Sequence, residues 1–218
     1  GWCCIPIMAN NIRAIAFYLP QYHPIPENDE WWGKGFTEWT NTAKAKPLYR
    51  GHYQPHVPAD LGFYDLRLPE ARAAQAELAQ QYGIEGFCYY EYWFAGKRLI
   101  HRPFNEVLKS GEPDFPFCIC WANQTWTGIW HGAPNRILIE QTYPGMEDHR
   151  MHLDGWLSAF RYSRYIHVYE KPLLFIYRPL EIPDILEVTH IWRELAVKSG
   201  LPGLYIVGLN ENISWCQS

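Results

Sequence analysis

The sequence predicts an α/β fold of the (β/α)8 TIM-barrel type, holding about the first five β/α units of an incomplete barrel. Three observations carry that expectation. Five short apolar runs alternate with longer stretches of helical periodicity. No glycine fingerprint follows the first run, where a dinucleotide-binding sheet would carry GxGxxG and this chain reads "LPQYHPIP". Each run also ends in a cluster of aromatic and polar residues, on the edge where barrels keep their chemistry.

The strand-like runs are "IRAIAFY" (12–18), "IEGFCYY" (84–90), "FPFCICW" (115–121), "PLLFIYR" (172–178) and "LYIVGL" (204–209), each rich in residues suited to strands buried on both faces. Between them, "PEARAAQAELAQQYG" opens on Pro69, closes on Gly83 and aligns Ala71, Ala74, Leu78 and Tyr82 on one stripe. "PFNEVLKSG" repeats the proline-in, glycine-out signature. "MEDHRMHLDGWLSAF" aligns Leu153, Trp156, Leu157 and Phe160, and "DILEVTHIWRELAVKSG" aligns Ile185, Val188, Ile191, Trp192 and Leu195. An open doubly wound sheet competes with the barrel for this alternation. Five strands cannot close a barrel of eight, so the chain is expected to be the N-terminal part of a longer protein. Residues 1–11 form an extension to it, with Met8 as a candidate natural start.

The connection from 19 to 68 spans about fifty residues, far beyond an ordinary βα loop, and such lengths mark binding loops. Within it, "QYHPIPENDEWWGKGFTEWTN" (21–41) packs Trp31, Trp32 and Trp39 beside Glu27, Asp29, Glu30 and Glu38. Its prolines and glycines make it too broken for a helix, so a loop is expected. Composition agrees that aromatic surface matters: Phe, Trp and Tyr make up 17% of the chain, many beside Gly, Pro and Asn. Indole faces stack on the apolar face of a pyranose, while carboxylates and amides at the ring edge read its hydroxyls.

The candidate saccharide-binding residues follow from these clusters. Tyr18, Tyr89, Tyr90, Tyr92, Trp93, Trp121, Asn123, Trp126, Tyr177 and Arg178 are expected to ring one pocket at the strand ends. Gln21, His23, Trp31, Trp32, Glu38, Trp39 and His52 join them from the long connection. Glu38 and Glu91 are the carboxylates to test for catalysis, with an ion pair to Lys97 or Arg98 as the structural alternative for Glu91. Core packing alone remains an alternative for any single tryptophan.

Other chemistry is poorly supported. A net charge of -4 and scattered Lys and Arg make nucleic acid and anionic membrane poor partners. No apolar run approaches the ~20 residues of a membrane span. His52 and His56 are spaced HxxxH, but Pro55 interrupts them and a third ligand is missing, so neither metal nor cofactor is expected. The six cysteines contain no CxxC, and Cys88, Cys118 and Cys120 sit in apolar runs, as buried free thiols of a reducing compartment would.

Long motifs then match a known family. "IAFYLPQYHPIPENDEWWGKGFTEWTN", "GHYQPHVPADLGFYDLR", "GIEGFCYYEYWF", "FPFCICWANQTW" and "KPLLFIYRP" resemble the WbsX-like glycosyltransferases, relatives of glycoside hydrolase family 99, from about Ile12 to Leu209. Family 99 itself is matched more distantly, at Phe17-Tyr18, Asp60-Leu61-Gly62, Tyr92-Trp93-Phe94 and Cys120-Trp121-Ala122-Asn123. In the last of these its glutamate has no counterpart here. The resemblance implies a (β/α)8 barrel acting on α-linked, mannose-like sugars in bacterial O-antigen, lipopolysaccharide or other surface-polysaccharide assembly. Residues 12–218 would be the N-terminal part of a family 99-like catalytic domain. The resemblance further implies a cytoplasmic protein working beside the inner membrane. A paired-glutamate motif of the Asn-Glu-Trp-x-Glu-Gly kind is expected after the last barrel strand, and the chain ends before one. Asn210-Glu211 lacks its Trp and Gly. Hydrolysis, glycosyl transfer and noncatalytic glycan binding all stay open, as does the oligomeric state.

Overall fold

The structure, a computed structural model, describes residues 12–129 and 132–209. Strand β1 (Ile15–Tyr18) leads into two seven-residue helices, α1 (Pro26–Trp32) and α2 (Glu38–Lys44), then α3 (Pro69–Gln81). The long strand β2 (Gly86–Phe94) folds back on β3 (Lys97–Leu99), and α4 (Arg102–Ser110) returns the chain to β4 (Phe117–Trp121). A hairpin of β5 (Trp126–Gly128) and β6 (Ala133–Ile139) precedes α5 (Met146–Phe160). Strand β7 (His167–Val168) then turns antiparallel into β8 (Lys171–Ile176), and α6 (Ile185–Lys198) leads to β9 (Tyr205–Gly208).

Strands β1, β2, β4, β8 and β9 pair in parallel, side by side in chain order. A doubly wound sheet reverses its strand order at a switch point. Here the order never reverses, which is the winding a (β/α)8 barrel requires. All five expected strands and all four expected crossover helices are present. No helix among the described residues is long and apolar enough to cross a membrane.

Successive strand residues point to opposite faces, and the two faces differ. Phe87, Tyr89, Trp93, Phe117, Ile119, Trp121, Leu174 and Ile176 are buried with α4, α5 and α6. Tyr89 packs on Phe104 of α4, Trp93 stacks on His152 of α5, and Trp121 meets Trp192 of α6. The opposite face carries Phe17, stacked on Tyr90 with centroids 5.3 Å apart and edge-on to Phe175. Phe17 is half exposed. Cys88 and Cys118, paired across β2 and β4, and Cys120 share that face as buried free thiols.

Two local expectations need correction. Residues 21–41 do not form a loop without helix: they hold α1 and the start of α2. Pro26 sits in the first turn of α1, where its missing N–H costs nothing. Gly33 and Gly35 then turn the chain at φ +102 and +82, and a capping box between Thr37 and Thr40 starts α2. Each helix is short enough to fit between the breakers. In α3 the buried positions are Arg72 and Ala76, while Tyr82, at the end of the expected stripe, is exposed. An alanine-rich helix has little amphipathic preference, so polar partners decide its rotation. Arg72 donates to the Leu66 carbonyl at 2.7 Å and pairs with Glu106 of α4 at 2.8 Å.

Helix α5 carries an unusually polar buried face. His152 meets the Glu91 carboxylate at 2.9 Å between Trp93 and Trp156, Asp148 accepts from the Trp93 indole at 3.0 Å, and Trp192 donates to the His149 carbonyl at 2.8 Å. Burial holds the His152 pKa below its ordinary value of 6.5, against the pull of Glu91.

Two outcomes follow. A methyl group at Gly86 would lie 2.4 Å from the Pro116 carbonyl oxygen, so Gly86→Ala should lower the unfolding free energy by about 1–3 kcal/mol in urea titration. The second concerns pH. Below 6.5 the unfolded chain binds a proton at His152 that the folded chain refuses, so stability is complete above that value and lost as pH falls beneath it. His23, His101 and His149, also lowered by burial, act in the same sense. Unfolding free energies measured from about pH 7 down to about pH 5 should fall, and His152→Asn should flatten that slope while lowering stability throughout.

Candidate functional site

A hollow of about 330 Å³ opens beside the C-terminal ends of β2 and β4. Its floor is Tyr90 and Tyr92 at the end of β2, Ala122 just past β4 and Tyr177 just past β8. One wall comes from the long first connection: Leu19, Gln21, Asn28, Trp31, Trp32, Phe36, Glu38 and Asn41. The facing wall comes from the stretch leading into the β5–β6 hairpin and the hairpin itself, with Gln124, Thr125, Trp126, Thr127, Ile129 and Leu138. Ile100, just past β3, completes it.

Aromatic contacts hold the walls together. Trp31 meets Trp126 edge-on with centroids 6.1 Å apart, and Trp126 packs edge-on against Tyr92 at 5.0 Å and Phe94 at 5.6 Å. Trp32 lies under the Arg136 guanidinium at 5.5 Å, and its ring tip reaches to 3.5 Å from where a side chain at Gly128 would begin. Gly128 is required instead by its hairpin partner, since that side chain would lie 2.8 Å from the Ala133 carbonyl oxygen. The turn between α1 and α2 is tied by Asp29, which accepts from the Gly35 N–H at 2.7 Å. Glu38 is in the first turn of α2, directed by the capping box that begins the helix.

The polar equipment of the hollow is mostly neutral. Tyr92 donates to the Gln21 amide oxygen at 3.2 Å, and burial pushes its phenol pKa up. Tyr90 is pushed up to about 12 by burial and neighbouring groups, so both phenols stay protonated donors. Among the described lining residues Glu38 is the one side chain charged at neutral pH. Burial raises its pKa above the ordinary 4.5, and its carboxylate has no hydrogen-bond or ion-pair partner among the described residues. Such a group is available to a ligand's hydroxyl, proton or positive charge.

Of the residues expected at the site, the structure gathers Gln21, Trp31, Trp32, Glu38, Tyr90, Tyr92, Trp126 and Tyr177 around this hollow. The expected single ring of strand-end residues is corrected for the rest, and strand parity is the main reason. Tyr18, Tyr89, Trp93, Trp121 and Glu91 point toward the helices and are buried there. The Glu91 carboxylate is occupied by His152 at 2.9 Å and Arg98 at 3.4 Å, the ion pair named as its structural alternative. Asn123 is fully buried, donating to the Tyr143 hydroxyl at 2.9 Å and clamping the Arg178 backbone through both its N–H and its C=O. The Arg178 guanidinium pairs with Glu181 and lies over the Tyr177 ring.

The remaining candidates lie elsewhere on the first connection. His23 is buried. Trp39 donates to the Tyr64 carbonyl at 2.8 Å among Tyr22, Phe63 and Tyr64. His52 stacks on Tyr49 and accepts from the Leu48 N–H. Asn210-Glu211 lies outside the described residues. Sequence reasoning missed Asn28, Asn41, Gln124, Thr125 and Thr127, which supply amide and hydroxyl groups. The asparagines face the hollow because they lie on helices, and the threonines because their segment becomes a hairpin. The short apolar run "ILI" (137–139) after Gly132 was the available signal for that hairpin.

Comparison with known proteins gives this geometry a context. Two solved structures of a GH99 endo-alpha-mannosidase from Bacteroides thetaiotaomicron, one in complex with bis-tris-propane, superimpose with a TM-score of 0.54 at 14% identity. They cover 93% and 94% of this chain and 56% and 54% of theirs. A structure titled glycoside hydrolase-like protein gives 0.51 at 16% identity, covering 91% of this chain and 51% of its own. At that identity the likeness shows a shared fold. The proteins called WxcX in two Xanthomonas campestris pv. campestris strains, B100 and ATCC 33913, are 45% identical over 195 residues, 88% of this chain. The chain spans 28% of their length. A family model described as Glycosyltransferase WbsX matches residues 14–217. The chain belongs to the WbsX glycosyltransferase family.

Proposed function

We propose that this protein acts on glycosidic bonds of α-linked, mannose-like sugars during the assembly or processing of bacterial surface polysaccharide, of which O-antigen is one form. The observation that carries the proposal is the hollow itself: aromatic rings on three sides, amides and hydroxyls between them, and one unpaired carboxylate, all beside the C-terminal ends of parallel strands. A pyranose would stack its apolar face on Trp126 or Trp31, with Gln21, Asn28, Asn41 and Glu38 reading its hydroxyls. Glu38 is the catalytic candidate retained, because Glu91 is consumed by His152 and Arg98 in the core.

Residues 12–218 would serve as the N-terminal part of the catalytic domain. The usual glycosidase scheme needs two carboxyl groups about 5–10 Å apart, and the described lining of the hollow supplies one. A glutamate pair on a segment after this chain would supply both reacting carboxyls, with Glu38 as a supporting acid. The fold shared with endo-alpha-mannosidases supports the choice of α-linked sugars. The buried thiols Cys88, Cys118 and Cys120 support a reducing, cytoplasmic setting.

The single carboxylate also favours a second reading, a noncatalytic glycan-binding domain. The full-length protein separates the two. Turnover of α-linked aryl mannosides without nucleotide-sugar consumption supports hydrolysis, and the reverse supports transfer. Oligosaccharide binding with neither turnover supports the binding domain.

Binding should localise to the hollow. Trp126→Ala should weaken oligosaccharide binding about tenfold, followed by intrinsic fluorescence or calorimetry. Trp93→Ala tests the placement from the other side: its indole is buried on His152 and Asp148, so it should cost about 3–5 kcal/mol of stability. Oligosaccharide affinity of its folded fraction should stay close to wild type.

A further inference from the structure

We infer that the hollow is built for a sugar carrying positive charge on or beside its ring, and that Glu38 is the residue that reads that charge. The inference rests on the saccharide reading of the hollow and specifies which saccharides it takes.

Glu38 reaches into a space walled by Trp31, Trp126, Tyr90, Tyr92 and Tyr177. No Lys or Arg lies among the described lining residues. The nearby cations are engaged elsewhere: Lys97 pairs with Glu27 at 3.0 Å, Arg98 with Glu91, and Arg136 lies over Trp32. The titratable groups that feel the Glu38 charge, Tyr22 on the first connection and Tyr92 on β2, are phenols kept protonated by burial. A carboxylate drawn from water without a counter-charge is satisfied by a proton or by an incoming cation. Burial raises its pKa in the same sense.

The walls favour a cation over an anion as well. Indole and phenol faces are negative, and they attract an ammonium or iminium-like charge held over them. A carboxylate-bearing sugar, or the diphosphate of a nucleotide sugar, would meet Glu38 and the aromatic faces with no basic partner to offset the repulsion. Two sources of positive charge share this chemistry. One is an amino sugar with a protonated exocyclic amine. The other is charge developing within the ring as a glycosidic bond breaks, which a protonated imino sugar imitates.

The test compares three ligands of one stereochemistry by calorimetry: neutral anhydromannitol, mannosamine, and deoxymannojirimycin with its protonated ring nitrogen. Wild-type protein should bind at least one cation about tenfold or more tighter than the neutral sugar, the increment of a charge-assisted contact. Preference for the ring cation assigns the charge to the ring, and preference for mannosamine assigns it to a substituent. Glu38→Gln, nearly isosteric, should abolish the preference and bring all three ligands to similar affinity. A pH series on unmutated protein gives the same answer independently of any folding defect. The preference should be full between the raised Glu38 pKa and the pKa of the ligand's own amine, and vanish as pH falls through the former. Equal binding of charged and neutral sugars by wild type overturns the charge inference and leaves the saccharide reading intact. Failure of all three to bind, together with oligosaccharide affinity unchanged by Trp126→Ala, overturns both.

Discussion

The strict alternation of side chains along β2 and its neighbours decides what each part of this protein can do. Tyr90 and Tyr92 point one way and reach the hollow; Glu91 and Trp93 point the other and are sealed beneath α5. One residue of register separates a surface available to ligand from one spent on packing. Because β2 runs nine residues, longer than its parallel partners, its far end serves both the sheet and the site. Parallel pairing with β1 and β4 keeps that parity common across the sheet.

The core shows what this constraint costs. An ionisable pair, Glu91 with His152, sits among Trp93, Trp121 and Trp156. Desolvation makes such groups expensive unless their hydrogen bonds are met, and a pair of this kind is poor evidence of net stabilisation. It does fix α5 against one point of β2, because only one helix register brings His152 to the carboxylate. The Asn123 amide works similarly at the ends of β4 and β8, holding the Arg178 backbone at both its N–H and its C=O. Strand ends are thereby tied together just beneath the hollow.

The scaffold is legible in the sequence because its signals are strong and local. The five apolar runs, the prolines at Pro69 and Pro103 and the glycines at Gly83, Gly111 and Gly200 mark elements whatever surrounds them. The site is legible only in half. Trp31, Trp32, Glu38 and Trp126 stand out by composition, yet Trp93, Trp121 and Asn123 stand out equally and face the other way. Facing depends on strand register, and a run buried on both sides has no hydrophobic alternation to reveal it. The rotation of α3 is hidden for a similar reason: an arginine lies inward because distant Glu106 and the Leu66 carbonyl receive it. Short helices between breakers, such as α1 and α2, escape periodicity because each spans barely two turns.

The hollow's two walls are both excursions from the sheet, one between β1 and α3 and the other between β4 and α5. They meet through Trp31 on Trp126 and Trp32 at Gly128, across a seam to which the parallel strands contribute only floor. The hollow-facing residues of these excursions, such as Gln21, Trp31, Thr125 and Trp126, lie outside the parallel strands and the crossover helices. Ligand preference in this architecture is therefore free to drift between relatives while the foundation below it is held constant, much as a mould insert is changed without recasting the frame.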